Sequence, residues 1–142
     1  MLAFAGASKA ADVCPNFTGE FVIQDERGQS EVTITQTACE QIRIDRTTNS
    51  RGTTTREQHT LKLDGKFQND SGWLGNSDKT QTAARFVSAA LEITVRPPSA
   101  TNDTDFSLKF LYVLRSNGDL DIRDFDRKNN AYVPTVLATR RQ

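Results

Sequence analysis

The sequence has few of the residues that usually carry catalysis, metal binding or membrane insertion. Its 142 residues include one histidine, one tryptophan, one methionine and two cysteines. No apolar run approaches the ~18 residues that a helix needs to span a bilayer. Basic and acidic residues both number 18, so the formal net charge is zero. This balance argues against a dedicated nucleic-acid binder, which needs a basic surface to meet the phosphates.

The scarcity of reactive side chains also argues against an enzyme. A zinc site needs several histidine or cysteine ligands, and His59 is the single histidine. We expect His59 to be a surface or partly buried strand residue. The sequence contains neither a Gly-x-Ser-x-Gly turn nor a Gly-rich phosphate loop. The prediction is a protein without catalytic residues, metal or cofactor.

The residues that are abundant favour β-structure. Threonine occurs 17 times and phenylalanine eight times, and both fit a pleated, half-buried surface better than a helix. The hydrophobic content of 36% is low but sufficient for one core in a chain of 142 residues. We predict one all-β domain over residues 14–142.

Residues 1–13 are small and apolar and precede an abruptly polar sequence. They resemble the end of a secretory signal, with cleavage expected near Ala7 or Ala10. The alternative is a disordered, alanine-rich leader. We predict an exported protein, either periplasmic or secreted, whose first 13 residues are a truncated signal remnant or such a leader.

The first two predicted strands, residues 17–25 and 31–37, alternate apolar and polar side chains and form a hairpin. A two-residue loop at Glu26-Arg27 places Cys14 opposite Cys39, whereas a four-residue loop offsets the cysteines by two positions. Both loops make a disulfide geometrically plausible, which would contribute roughly 3–4 kcal/mol. Such bridges persist outside reducing compartments. Two buried, unpaired thiols are the alternative.

Similar alternation predicts further strands along the rest of the chain. They lie at residues 41–45, 58–64, 66–68, 82–95, 105–115, 120–122 and 132–141. Residues 82–91 also have fair helix propensity, and a helical turn at Thr82–Arg85 is the alternative there. Asn117-Gly118 is a strong hairpin turn.

Eight or nine strands joined mostly by short turns predict an antiparallel up-and-down meander. Closing the meander into a β-barrel removes the edges of the sheet. Eight strands leave an interior that is either filled by side chains or holds one small ligand. An open two-sheet sandwich is the alternative architecture.

The ends of this predicted sheet resemble those of lipocalin-type (calycin) barrels. Gly19-x-Phe21 opens the first strand, and Arg140 or Arg141 ends the last. In lipocalins a Gly-x-Trp motif and a basic residue occupy these places. The resemblance implies that Arg140 packs across the ring of Phe21 and closes one end of the barrel through a cation–π contact.

The chain further resembles small exported bacterial proteins with lipocalin-like barrels. The similarity rests on three segments, which are Cys14-Pro15-Asn16-Phe17-Thr18-Gly19-Glu20-Phe21, residues 32–39 and Asp64-Gly65-Lys66. It covers about residues 14–142 in layout and implies an eight- or nine-stranded lipocalin-like barrel.

Polar residues at inward positions suggest a ligand site inside this barrel. Gln36, Arg46 and Tyr112 could orient a ligand, while Phe106, Phe110 and Tyr112 form an apolar wall. The alternative is that Gln36 and Arg46 lie near the barrel ends and reach water. Trp73, flanked by glycines in a long polar loop, is expected either to plug the barrel mouth or to cover a ligand.

Two functions are compatible with these features. The first is an extracytoplasmic, monomeric, non-catalytic protein that binds a small, largely apolar ligand in its barrel. The second is a protein-interaction module, an inhibitor or envelope-associated factor, with a filled barrel and active loops around Trp73 and Arg96-Pro97-Pro98.

Overall fold

The computed structural model describes residues 14–25, 28–75, 77–102 and 104–141. The predicted leader at residues 1–13 and the predicted turn at Glu26-Arg27 lie outside the described residues. The domain boundary at Cys14 therefore stays a prediction.

Ten antiparallel strands and one short 3₁₀ turn make up the described part of the chain. The strands are β1 Gly19–Asp25, β2 Gly28–Thr37, β3 Gln41–Ser50, β4 Thr53–Lys62, β5 Gln68–Ser71, β6 Lys79–Val87, β7 Ala90–Arg96, β8 Leu108–Leu114, β9 Leu120–Asp126 and β10 Ala131–Arg140. They form one sheet in the order β4-β3-β2-β1-β10-β9-β8-β7-β6-β5. The predicted all-β antiparallel meander is confirmed, and a single continuous sheet distinguishes it from a two-sheet sandwich.

The number of strands is ten because the predicted strand 82–95 is in fact a hairpin. β6 ends at Val87 and β7 begins at Ala90, and Ser88 in the turn has φ 55°. Inward positions are even-numbered on β6 and odd-numbered on β7, because paired residues such as Phe86 and Leu91 have numbers of opposite parity. Val87, predicted to face inward, is 41% exposed. The helical alternative for residues 82–91 is wrong.

The strand register brings the two cysteines together as predicted. In the β1–β2 hairpin Gly19 pairs with Ile34 and Phe21 pairs with Val32, which is the register of the two-residue loop. Cys14 and Cys39 form a disulfide with their Cα atoms 5.9 Å apart. The disulfide ties the segment before β1 to the turn after β2. Phe17, fully buried in the core, lies on this tethered segment.

Arg140 closes the end of the barrel that carries the disulfide, which we call the base. Its guanidinium carbon lies 4.9 Å from the centroid of the Phe21 ring, so the contact that the resemblance implied is present. Arg140 Nε also donates to the carbonyl of Gly118 over 2.9 Å. A Cβ at Gly19 would collide with the Arg140 side chain. The Gly19-x-Phe21 motif thus provides both the ring and the space that Arg140 needs.

The two ends of the sheet, β4 and β5, come together without a strand ladder between them among the described residues. Side chains join them instead. The Gln68 amide accepts from the Lys62 backbone N–H over 3.1 Å and donates to the Lys62 carbonyl over 3.2 Å. His59 Nδ1 lies 2.9 Å from Asp70 Oδ2. We call this junction the seam of the barrel.

Removal of the disulfide tests how much the base contributes to stability. We expect Cys39→Ser to lower the free energy of unfolding by roughly 3–4 kcal/mol, because the unfolded chain gains the freedom that the bridge removes. Thermal unfolding under oxidising conditions measures the effect. A reductant should lower the melting temperature of the wild type but leave that of Cys39→Ser unchanged. A melting temperature of Cys39→Ser equal to that of the oxidised wild type would contradict the assignment.

Candidate ligand site at the barrel mouth

Trp73 lies inside the end of the barrel opposite the base, which we call the mouth. It begins the 3₁₀ turn Trp73–Gly75 directly after β5 and is only 5% exposed. Positive φ angles at Gly72, 86°, and Leu74, 55°, turn the chain so that the indole points inward. The indole N–H donates to Asp70 Oδ2 over 2.8 Å and to Thr82 Oγ1 over 3.0 Å. Trp73 therefore lies in the mouth as a plug, which is one of the two roles predicted for it.

His59 stacks on Trp73 and is buried, contrary to the prediction of a surface or partly buried position. The two ring centroids are 3.6 Å apart with an interplanar angle of 10°, and His59 is 1% exposed. Its Nδ1 faces Asp70 Oδ2 at 2.9 Å, and its Nε2 faces Glu57 Oε2 at 2.9 Å. The sequence shows that Glu57 and His59 share a face of β4, but it does not show that Asp70 meets them.

The two carboxylates favour the charged form of the buried imidazole. Burial by itself lowers the pKa of His59, but hydrogen bonds and charge interactions with Asp70 and Glu57 together outweigh it and raise the pKa above its ordinary value of 6.5. For Asp70, burial opposes the shift, but hydrogen bonds from His59, the Ser71 backbone and Thr82 leave its pKa lowered. An imidazolium donates from both nitrogens, which matches its two carboxylate partners.

A cleft of about 220 Å³ opens at the mouth beside Trp73. Its apolar walls are formed by Trp73, Val95, Pro97 and Leu108, and its polar lining includes Asp78, Lys79 and Ser107. Thr80 also lines the cleft, and its buried Oγ1 has no hydrogen-bond partner within the described parts of the chain. A buried hydroxyl without a partner costs about 1–3 kcal/mol. The cleft thus combines apolar walls with one polar atom that lacks a partner.

Three of the other predicted ligand residues occupy inward-facing positions on their strands, because each lies opposite a buried core residue in the register. The ring centroid of Phe110 is 5.7 Å from that of Trp73, and Tyr112 is 7% exposed. Burial raises the pKa of Tyr112 to about 12. The charge of Arg46 lowers this pKa slightly, and the charges of Glu57 and Asp124 raise it slightly. Arg46 also donates to Ser30 Oγ over 3.3 Å.

Gln36 lies at the base, away from the mouth cleft. Its Nε2 donates to the carbonyls of Pro15, 2.9 Å, and Ala38, 2.8 Å, and its Oε1 accepts from the Phe17 N–H over 2.9 Å. The inward parity of Gln36 was predicted correctly, but its amide holds the disulfide-tethered segment rather than facing the other ligand candidates. The alternative that placed Gln36 near a barrel end describes its location.

Phe106 lies on the outer face of the sheet, so its predicted place in the interior wall is wrong. β8 begins at Leu108. Phe106 lies before the strand, so strand alternation does not fix the direction of its side chain. Its ring contacts Phe125 edge-on at 5.7 Å and lies 4.1 Å from the guanidinium carbon of Arg127. Both of these partners are on the solvent side of the barrel wall.

Substitution of Trp73 tests whether it is part of the core or only a surface lid. We expect Trp73→Ala to reduce the free energy of unfolding by about 3–5 kcal/mol, because it removes a buried aromatic ring. Leu74→Ala is the matched control, since Leu74 is 58% exposed, and it should change stability by less than about 0.5 kcal/mol. Chemical denaturation of both variants provides the measurement. Equal small effects would show that Trp73 does not support the fold.

Comparisons with known proteins support the fold. No family model matches the chain, and no curated protein matches its sequence. Among solved structures, the chain is similar to a single-residue mutant of the fluorescent protein UnaG, with a TM-score of 0.66 and 14% identity over 89% of this chain and 96% of that one. No helix among the described residues is long and apolar enough to cross a membrane, and those residues contain no group of acidic, histidine or cysteine side chains arranged to hold a metal. The similarity to the UnaG mutant shows that the chain shares the fold of that structure.

Proposed function

We propose that this protein is a non-catalytic binding protein that holds a small, largely apolar ligand at the mouth of its barrel. The mouth cleft carries the proposal, because it pairs apolar walls with the buried, unpartnered hydroxyl of Thr80. Binding sites for small molecules are typically apolar surfaces with a few precisely placed polar groups. A ligand with one hydrogen-bonding group would satisfy Thr80 and cover the apolar wall.

Trp73 forms the boundary between this cleft and the deeper interior. The Phe110 ring lies 5.7 Å from the indole of Trp73. Tyr112 follows on the same face of β8 and interacts electrostatically with Arg46. A ligand longer than the cleft could reach these residues only if the indole moved aside. We propose that Phe110 and Tyr112 extend the apolar wall and that Arg46 orients a polar end of such a ligand.

The side chains best suited to catalysis have structural partners, which supports a binding role. Both nitrogens of His59 face carboxylates, so the imidazole has no free nitrogen to act as a general base. Cys14 and Cys39 are joined in the disulfide, and neither is available as a nucleophile. The buried Oγ1 of Thr80 has no hydrogen-bond partner among the described residues, so none of them contacts it as a base contacts a nucleophile.

We also propose that the protein acts outside the cytoplasm, in the periplasm or after secretion. The Cys14–Cys39 disulfide supports this location, since such bridges are rarely maintained in a reducing cytosol. The signal-like composition of residues 1–13 supports it independently. Fractionation of cells that produce the full chain would test the proposal, and recovery of the protein entirely in the cytosol with reduced cysteines would contradict it.

A protein-interaction module is the second candidate, and one observation favours it. Leu74 is 58% exposed directly beside the buried Trp73, so an apolar side chain projects from the rim of the mouth. Native mass spectrometry of the protein purified from its source compartment separates the two candidates. A reproducible small-molecule adduct that is lost on denaturation supports ligand binding. A clean apo mass together with a co-purifying protein would favour the interaction module.

Thr80→Val provides a specific test of the cleft. Valine has nearly the same shape as threonine but lacks the hydroxyl, so the variant should be at least as stable as the wild type, because the desolvation cost of about 1–3 kcal/mol is removed. The same change should reduce the fraction of protein that carries the adduct. Thr35→Val, which alters an exposed threonine on β2, is the control. Unchanged adduct occupancy in Thr80→Val would contradict the assigned site.

A further inference from the structure

The seam and the mouth meet at one stacked pair of rings. His59 belongs to β4, Asp70 to β5 and Trp73 to the turn that follows β5. Asp70 Oδ2 accepts from the Trp73 indole at 2.8 Å and from the Thr82 hydroxyl at 2.9 Å, and it also faces His59 Nδ1 at 2.9 Å. The same carboxylate therefore joins the sheet ends and fixes the indole that plugs the mouth.

We propose that this junction is a proton-sensitive closure, in which protonated His59 holds Trp73 between the mouth cleft and the deeper interior of the barrel and loss of the proton releases it. This inference rests on the proposed function, because it assigns a means of control to the same cleft. It predicts a closed mouth below the titration midpoint of His59 and an open mouth above it.

The geometry explains why a single proton matters. Both ring nitrogens lie 2.9 Å from a carboxylate oxygen, so the imidazolium donates two charge-assisted hydrogen bonds. A neutral imidazole has only one N–H, and its other nitrogen would place a lone pair against a carboxylate. The attraction on one side of the ring is then replaced by repulsion. The cation above the indole face, which the ring quadrupole stabilises, is lost at the same time.

The charged groups around the ring favour its protonated form and therefore the closed state. From β4 and β5, Glu57 and Asp70 contact the ring directly. Arg46 on β3 lies opposite Glu57 in the strand register. The charges of Arg46, Glu57 and Asp124, the last on β9, act on Tyr112 of β8. The carboxylates raise the pKa of His59. Its stabilising charge is therefore present below the ordinary pKa and is lost as the pH rises through the raised value.

The wild-type protein provides a direct test, since it contains one histidine and one tryptophan. The ring protons of His59, followed by NMR between about pH 5 and 10, give the titration midpoint, and the accessibility of Trp73 to acrylamide is measured by fluorescence over the same range. We expect quenching of Trp73 to increase several-fold with the midpoint of His59. Quenching that stays constant through the His59 titration would overturn the proposal.

Two variants provide specificity. Glu57→Gln removes one carboxylate that favours the imidazolium, so the His59 midpoint and the Trp73 transition should both move to lower pH by the same amount. His59→Gln should abolish the transition altogether. If His59→Gln does not fold, the Glu57→Gln comparison alone decides the matter, because a shift in one midpoint without the other would contradict the coupling.

A dye separates this inference from the proposed function. Binding of 1-anilinonaphthalene-8-sulfonate to the wild type is measured on both sides of the midpoint, with Thr80→Val as the cleft control. Several-fold tighter binding above the midpoint, weakened by Thr80→Val, supports both proposals. Binding that depends on Thr80 but not on pH retains the ligand site and overturns the closure. A pH-dependent Trp73 signal without binding at any pH supports the closure and contradicts a ligand site.

Discussion

The contact between His59 and Asp70 is the interaction on which the barrel mouth depends. A sheet whose first and last strands lack a ladder exposes unpaired edges unless something else joins them. Here the Gln68 amide joins them toward the base, and the His59–Asp70 pair joins them toward the mouth. Because Asp70 also accepts the Trp73 indole N–H, one carboxylate both joins the two ends of the sheet and holds the indole in the mouth.

Burial of the charged His59 ring costs free energy, which explains why both of its N–H donors have carboxylate partners. A buried imidazolium is unfavourable unless its charge is neutralised and both its donors are satisfied. Two carboxylates and a stacked indole provide those partners, and the Thr82 hydroxyl donates in turn to the Asp70 carboxylate. Removal of any one would leave a buried polar group without its partner. The network is therefore a polar region that specifies one arrangement of the mouth, whereas the apolar side chains below it would tolerate several.

The sequence predicted the parts of the fold that follow from local alternation. The parity of inward residues limited the β1–β2 register to two possibilities, and both made the Cys14–Cys39 bridge plausible because one hairpin connects the cysteines. The β6–β7 hairpin was missed since its turn contains Ser88 and Ala89 but no glycine, proline or asparagine. Phe106 was misplaced because alternation stops where β8 begins. The His59 site joins β4 and β5, the two ends of the sheet order, through side chains alone. Alternation within one strand does not reveal a contact of that kind.

Hydrogen exchange of the Trp73 indole proton tests directly whether Asp70 both closes the seam and holds the indole in the mouth, because that proton is donated to the Asp70 carboxylate. It should be measured by NMR in the wild type and in Asp70→Asn at a pH below the His59 midpoint, with the backbone amides of β1 as an internal reference. The account predicts a protected indole proton in the wild type and several-fold faster exchange in Asp70→Asn, while β1 stays protected. Equal protection of the indole in both proteins would contradict it.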